Sequence, residues 1–292
     1  MPRDDDRSPA KLGRCGSYEL LVELASGGMA TVYLARKVAS RGSPLVAVKR
    51  PHRHLASDKG FRGMVIVTQI EMLEIVDNNI TVGSGYALHK LVEETVAAGL
   101  GGLEPLAGIA GTAGGAIVGN AGAYGVSISD SLIDVNLYHP LKGFYTERKE
   151  DLGYRYRHSD LKGSQNIVIS GRFQLAHGDA ATLKQKMETI LAERWQKHPK
   201  DDISAGCFFK NVESATAPHG KIAAGYLLDQ IGAKQMQIGH AGVFPGHANI
   251  LVNKGGATAS EVRDLSIRLK EKVKEIYNID LTEEVILLGD FS

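Results

Sequence analysis

The chain has 292 residues, with 34 basic and 33 acidic side chains, 34 glycines, 9 prolines and 2 cysteines. A hydrophobic share of 43% excludes a disordered chain, and a net charge of +1 creates no whole-chain demand for a nucleic-acid partner. Glycine without a three-residue period excludes collagen, and Cys15 and Cys207 are too few and too distant for a disulfide framework or a CxxC metal site.

Residues 1–16 are polar, lack the apolar core of a signal peptide, and read as a flexible leader. With so few cysteines, a reducing, cytoplasmic setting is the default expectation. From Tyr18 the alternation of apolar and polar residues predicts strands over YELLVELASGG, MATVYLARKVA and LVAVKR, with a loop at 41–44. The run Ala25-Ser26-Gly27-Gly28-Met29-Ala30-Thr31-Val32-Tyr33, followed by Val46-Ala47-Val48-Lys49, resembles the first strands of a bacterial Ser/Thr protein kinase. That resemblance implies a glycine hairpin over nucleotide phosphates, with Lys49 pairing to them. It covers about 45 residues and stops there, because neither an HRD-type loop nor a DFG follows. Residues 17–56 therefore read as a kinase N-lobe-like fragment without a catalytic aspartate or magnesium ligand.

Glycine is concentrated further on, with twelve in residues 83–125. Residues 105–129 carry no charge and are long enough to span a bilayer, yet seven are glycine and only six are Leu, Ile or Val. The segment reads as a loop system for close backbone approach, not a membrane span. Before it, LHKLVEETVAAG has apolar residues at 88, 91, 92 and 96 and predicts a helix; strands are expected at about 132–138. A second helix is expected over ATLKQKMETILAERWQK. A third runs from Ala259 to Tyr277, with Thr258 and Glu261 spaced as a capping box, and EEVILLGDF forms a terminal strand.

Taken alone, GIAGTAGG is either a set of tight packing turns or a pyrophosphate cradle. Arg157 is either a solvated surface charge or a stabiliser of developing negative charge. Cys207 is either an inert buried thiol or a proton donor with an ordinary pKa near 8.5. Ten histidines form no HExxH or paired Cys/His spacing, so no metal is expected.

Five motifs in order decide among these readings: GLEPLAGIAGTAGGAIVGNAGAYG, YRYRHS, SAGCFFKN, HANILVNKGGATA and EEVILLG. With SDKGFRGMVIVTQ at the start, they resemble the UDP-N-acetylenolpyruvoylglucosamine reductase family over roughly residues 57–292. The resemblance implies an NADPH-dependent FAD enzyme that reduces UDP-N-acetylenolpyruvoylglucosamine to UDP-N-acetylmuramate for peptidoglycan synthesis. It implies FAD contacts at Gly108, Ile109, Gly111, Thr112, Gly114, Gly115, Asn120 and Gly122. Arg157 and Glu284 would stabilise the enol charge and Cys207 would deliver the proton, with Glu283 an exposed neighbour. Tyr124, Lys210, Asn211 and His247 would bind the UDP-sugar.

The implied fold is α+β. A FAD-binding domain of the vanillyl-alcohol-oxidase/PCMH type occupies about 57–180, and an α+β substrate domain occupies 185–292. Family members carry a GGGSN-like phosphate turn before the position of Ser57, and no such turn occurs here. The flavin domain is therefore expected to lack its N-terminal half. Two alternatives are a catalytically inactive fusion that binds a UDP-sugar, and a nucleotide-binding kinase remnant acting through Lys49.

Overall fold

The structure, a computed structural model, describes residues 14–15, 18–27, 30–37, 46–51, 54–62, 67–199, 203–217 and 220–292. The alternating runs near the N-terminus form an antiparallel meander of β1 (Tyr18–Gly27), β2 (Ala30–Lys37) and β3 (Val46–Pro51). Arg14–Cys15 adds a short strand, pairing Arg14 with Glu19 and Cys15 with Tyr18, so the end of the expected leader is extended backbone. Residues 1–13, Gly28 and the loop at 41–44 lie outside the described residues. Lys49 pairs through its backbone with Val32, and its side chain also lies outside them.

A first core collects apolar side chains from residues 80–191 around a five-stranded sheet. In spatial order the sheet runs β8 (Gly143–Arg148), β7 (Leu132–His139), β9 (Ile167–Gln174), β6 (Asn79–Gly83) and β5 (Leu73–Val76), all antiparallel. Helix α1 (Leu88–Ala97) buries Leu88, Leu91, Val92 and Val96, the stripe its spacing predicts. The uncharged segment 105–129 folds into short turns around α2 (Ala113–Gly119), and among the described residues no helix is long and apolar enough to cross a membrane. Helix α3 (Ala180–Lys197) is capped by Asp179 and lies against the start of the glycine block. Buried Glu104 fixes that packing by pairing with Lys186 at 2.9 Å and accepting from the Gly102 amide.

A second core runs from Phe208 to Val285. Here β10 (Ile203–Cys207), β12 (Ile250–Asn253), β11 (Ala241–Val243) and the short strand Gln237–Ile238 make an antiparallel sheet in that order. Helix α4 (Ala224–Gln230) and helix α5 (Ala259–Tyr277) pack with it. Both hydrogen bonds of the Thr258–Glu261 capping box are formed, and α5 has the predicted bounds.

The junction at residues 54–60 is built into this second lobe. Strand β4 (His54–Ala56) runs parallel to β13 (Ile286–Leu288), and the Ser57 amide donates to the Leu288 carbonyl at 2.7 Å. The Asp58 carboxylate accepts from the Ala259 and Ser260 amides at 2.8 and 2.9 Å, adding a second cap to α5.

Candidate active site

The motif YRYRHS forms a tight turn. The Arg155 and His158 backbones exchange hydrogen bonds at 3.1 and 3.0 Å, leaving Tyr156 and Arg157 at its tip. Arg157 sits in the left-handed region at φ 53°, a conformation that strains an arginine and occurs where surrounding contacts over-determine it. Those contacts are visible. Ser159 Oγ donates to the Val118 carbonyl at 2.7 Å, and Asn120 Nδ2 donates to the Arg155 carbonyl at 2.9 Å. The guanidinium itself donates to the carbonyls of Asn120 and Gly122. The glycine block thus holds the arginine turn.

In the second lobe, β10 bulges between Ser204 and Cys207 as it pairs with β12, with Gly206 at φ +79°. Buried Asn249 brackets Phe209, accepting from its amide at 2.9 Å and donating to its carbonyl at 2.8 Å. Residues 208–210 then pair with 282–284: the Lys210 amide donates to the Thr282 carbonyl and the Glu284 amide to that of Phe208, both at 2.8 Å. This register carries Cys207 and Glu284 to the same place.

Arg157 Nε of the first lobe lies 3.2 Å from Glu284 Oε1 of the second. The two side chains and Cys207 line a cleft of about 430 Å³ together with Asn211, His247, Tyr156, Tyr226 and Lys234. All three expected catalytic residues and two expected substrate ligands therefore share one cavity. Lys210 is outside the lining, but its charge and that of Glu284 both act on Lys162, whose pKa burial lowers. Tyr124 is likewise outside it and lies beneath Arg194, at 5.8 Å from guanidinium carbon to ring centroid. Asn211 has a double attachment: its amide donates to Tyr156 Oη at 3.3 Å, and its Oδ1 accepts from the Ala224 amide at 3.1 Å. Burial raises the Tyr156 pKa, with Arg157 opposing it. Lys221 Nζ stands 3.4 Å from the Tyr156 ring centroid.

Burial, then Lys234 and Lys197, push His247 below the ordinary histidine pKa. Its Nδ1 accepts from the Asn249 amide at 3.2 Å, which suits a neutral ring with the proton on Nε2.

The expected exposure of Glu283 is corrected. Its carboxylate is mostly buried and meets Arg263 Nη1 at 2.6 Å and Lys270 Nζ at 3.5 Å on α5. The strand expected over EEVILLGDF is confined to β13, so both glutamates precede it: Glu283 forms an isolated bridge with Phe209 and meets α5, while Glu284 lines the cleft.

The expected cofactor residues lie in residues 108–122, on and around α2. Thr112 caps α2, its Oγ1 accepting from the Gly115 amide at 3.3 Å. A Cβ on Gly114 would sit 2.6 Å from the Ser84 Cβ, so α2 can approach only as glycine. Gly108, at φ +73°, lies against Arg194, which a Cβ would meet at 2.9 Å. Ile109 is buried, and the Gly111 carbonyl accepts from the Leu88 amide. Asn120 is buried, its amide engaged by the Arg155 and Ser129 backbones.

Arg194 was not singled out by the sequence, because it sits in a long helix without a motif. Its Nε and Nη2 are buried with no hydrogen-bond partner among the described residues, as is Ser84 Oγ against Gly114. Burial lowers its pKa, the direction expected of a cation desolvated without a counter-ion. Lys162 in a turn, Lys221 in a two-residue strand and Lys234 in a single 3-10 turn carry no sequence pattern either.

Comparison with known proteins gives this geometry a family. The family profile "UDP-N-acetylenolpyruvoylglucosamine reductase, C-terminal domain" matches residues 198–288, and "FAD binding domain" matches residues 30–140, beginning inside the kinase-like stretch. The UDP-N-acetylenolpyruvoylglucosamine reductase of Heliobacterium modesticaldum is 35% identical over 259 residues, covering 88% of this chain and 81% of that one. That of Geotalea uraniireducens is 38% identical over 254 residues, covering 86% and 82%. The crystal structure of the Thermus caldophilus reductase superposes with a TM-score of 0.68 at 33% identity, covering 82% of this chain and 83% of that one. With two lobes, a shared cleft and this extent of likeness, the chain belongs to the UDP-N-acetylenolpyruvoylglucosamine reductase family.

Proposed function

We propose that the chain is an FAD-dependent oxidoreductase that reduces UDP-N-acetylenolpyruvoylglucosamine to UDP-N-acetylmuramate with NADPH, in the cytoplasmic synthesis of peptidoglycan precursors. The observation that carries this reading is the Arg157–Glu284 contact across two lobes with Cys207 in the same cleft.

The residues present fit FAD. Arg194 offers two buried donors, without partners among the described residues, beside Gly108, and the Ser84 hydroxyl against Gly114 also lacks a partner among them. An anionic, hydrogen-bonding group beside Gly108 would satisfy the two Arg194 donors. Gly108, Ile109, Gly111, Thr112, Gly114 and Gly115 would line its phosphates, with Asn120 and Gly122 supporting the wall behind. When bound, FAD supplies hydride chemistry and is reloaded from NADPH.

The chain's own residues do the rest. Hydride addition to one carbon of the enolpyruvyl group leaves enol character at its neighbour, next to the carboxylate. Arg157 faces that charge with a planar, permanently cationic fork, and Glu284 holds the fork in place. Cys207 Sγ delivers the proton. Asn211 and His247 line the path of the sugar nucleotide, with Lys210 and Tyr124 flanking it. We set the flavin domain at 57–180 and the substrate domain at 185–292, with Ser57 and Asp58 bonded to the substrate lobe and Met187 and Leu191 packed in the first core.

For residues 17–56 the kinase-like origin rests on the sequence resemblance alone. The flavin-domain match from residue 30 supports those strands serving the flavin domain in place of its usual first half.

Reconstitution with FAD followed by substrate-dependent NADPH consumption tests the function. A protein that takes up no flavin and consumes no NADPH would be inconsistent with it.

A further inference from the structure

Glu284 does not reach Arg157 by its own packing alone. It sits on a short segment, 282–285, held by three backbone hydrogen bonds to residues 208–210. Two neighbouring residues, Leu281 and Val285, anchor the segment in the second core. Between them Glu283 points the other way and is gripped by two cations, Arg263 and Lys270, seven residues apart on one face of α5. The two adjacent glutamates thus have separate partners from separate lobes. Helix α5 is itself fixed at its N-terminus by the Thr258–Glu261 box and by Asp58.

We propose that Arg263 and Lys270 form a positioning clamp on Glu283 that sets the reach of Glu284 to Arg157, and that the reaction depends on it. This rests on the reductase reading of the cleft. Arg263 and Lys270 touch neither the cleft nor its reacting groups; they act through Glu283. The clamp also compensates the Glu283 charge, so a second carboxylate beside the site does not compete for the Arg157 guanidinium.

The test uses the full-length holoenzyme carrying Arg263→Met with Lys270→Met, with Arg263→Lys as the conservative control. In the double variant kcat falls about tenfold or more while KM stays within about threefold, as expected when a reacting group is misplaced but substrate binding is kept. Arg263→Lys retains most of kcat, and Glu283→Gln in the double variant recovers part of it by removing the uncompensated charge. Crystal structures of the same variants give a readout independent of turnover: the Arg157–Glu284 contact is lost in the double variant and kept in Arg263→Lys. An unchanged contact, or a lost contact with unchanged kcat, overturns the clamp. A wild-type protein without reductase activity whose contact still depends on Arg263 and Lys270 counts against the reductase reading and supports the clamp's geometry.

Discussion

Arg157 Nε and Glu284 Oε1 stand 3.2 Å apart although 127 positions separate them in the chain, and each belongs to a different lobe. The pair lies at the junction of the lobes and is largely shielded from water, so its attraction is less screened than that of a surface ion pair. Its geometry is held from both sides: by the carbonyls of Asn120 and Gly122 on one lobe, and by the 282–285 segment on the other.

Replacing Arg157 by lysine keeps the charge and loses the planar fork. The kcat of Arg157→Lys should fall by roughly 10²-fold, comparable to the loss of one preorganised transition-state donor. Glu284→Gln should fall by a similar factor, and the double variant should lose less than the product of the two, because the residues act as a pair. Steady-state kinetics of the three proteins measure this.

Cys207 is the proton donor in the proposed reaction, and a hydroxyl can replace a thiol in that role. Cys207→Ser should retain activity and Cys207→Ala should lose it, with reduction of the bound flavin by NADPH unaffected in both. Equal turnover by the serine and alanine variants would remove Cys207 from the mechanism.

Arg194 contributes a buried guanidinium whose Nε and Nη2 lack partners among the described residues. Arg194→Met should weaken FAD binding by roughly tenfold to a hundredfold, the loss of one or two charge-assisted hydrogen bonds. The apo-protein should be no less stable, because removing an uncompensated buried charge relieves a desolvation cost. Flavin titration by fluorescence and thermal melts of the apo-protein read the two effects separately.

His247 carries the pH signature. Burial and the nearby Lys234 and Lys197 depress its folded pKa, so the unfolded chain binds a proton there before the folded protein does. The associated stability is present above the unfolded histidine value of about 6.5 and is lost as pH falls toward the lower folded value. His247→Gln should flatten the fall in melting temperature over that acidic window, measured against wild type in matched buffers.

Asp58 links the junction to the substrate lobe by capping α5. Asp58→Ala should cost about 1 kcal/mol, the usual loss of an N-cap side chain. Thr258 still caps the helix, so the helix should persist and only the melting temperature should fall, by a few degrees.

Much of this was legible from local order. The capping box and apolar stripe of α5 depend on spacings of three and four residues, and the helix has the bounds those spacings predict. The motif residues Arg157, Cys207 and Glu284 could be picked out because each lies inside a short recognisable run. Arg194 could not, because its role comes from facing Gly108 across 86 positions, and nothing in the surrounding helix marks it.

The two glutamates show where sequence reading ends. Glu283 and Glu284 are chemically identical neighbours, and resemblance alone left Glu283 as the exposed one. The pairing of residues 282–285 with 208–210 gives them different partners: α5 takes the first and Arg157 the second. By itself the sequence determined the elements, the glycine-rich wall and the chemistry available, since these follow from local periodicity and residue type. Only the tertiary structure decided which carboxylate meets the arginine and which buried cation awaits an anion. Those choices depend on contacts between segments distant in the chain, 127 positions for Arg157 and Glu284 and 86 for Arg194 and Gly108, which no local pattern encodes.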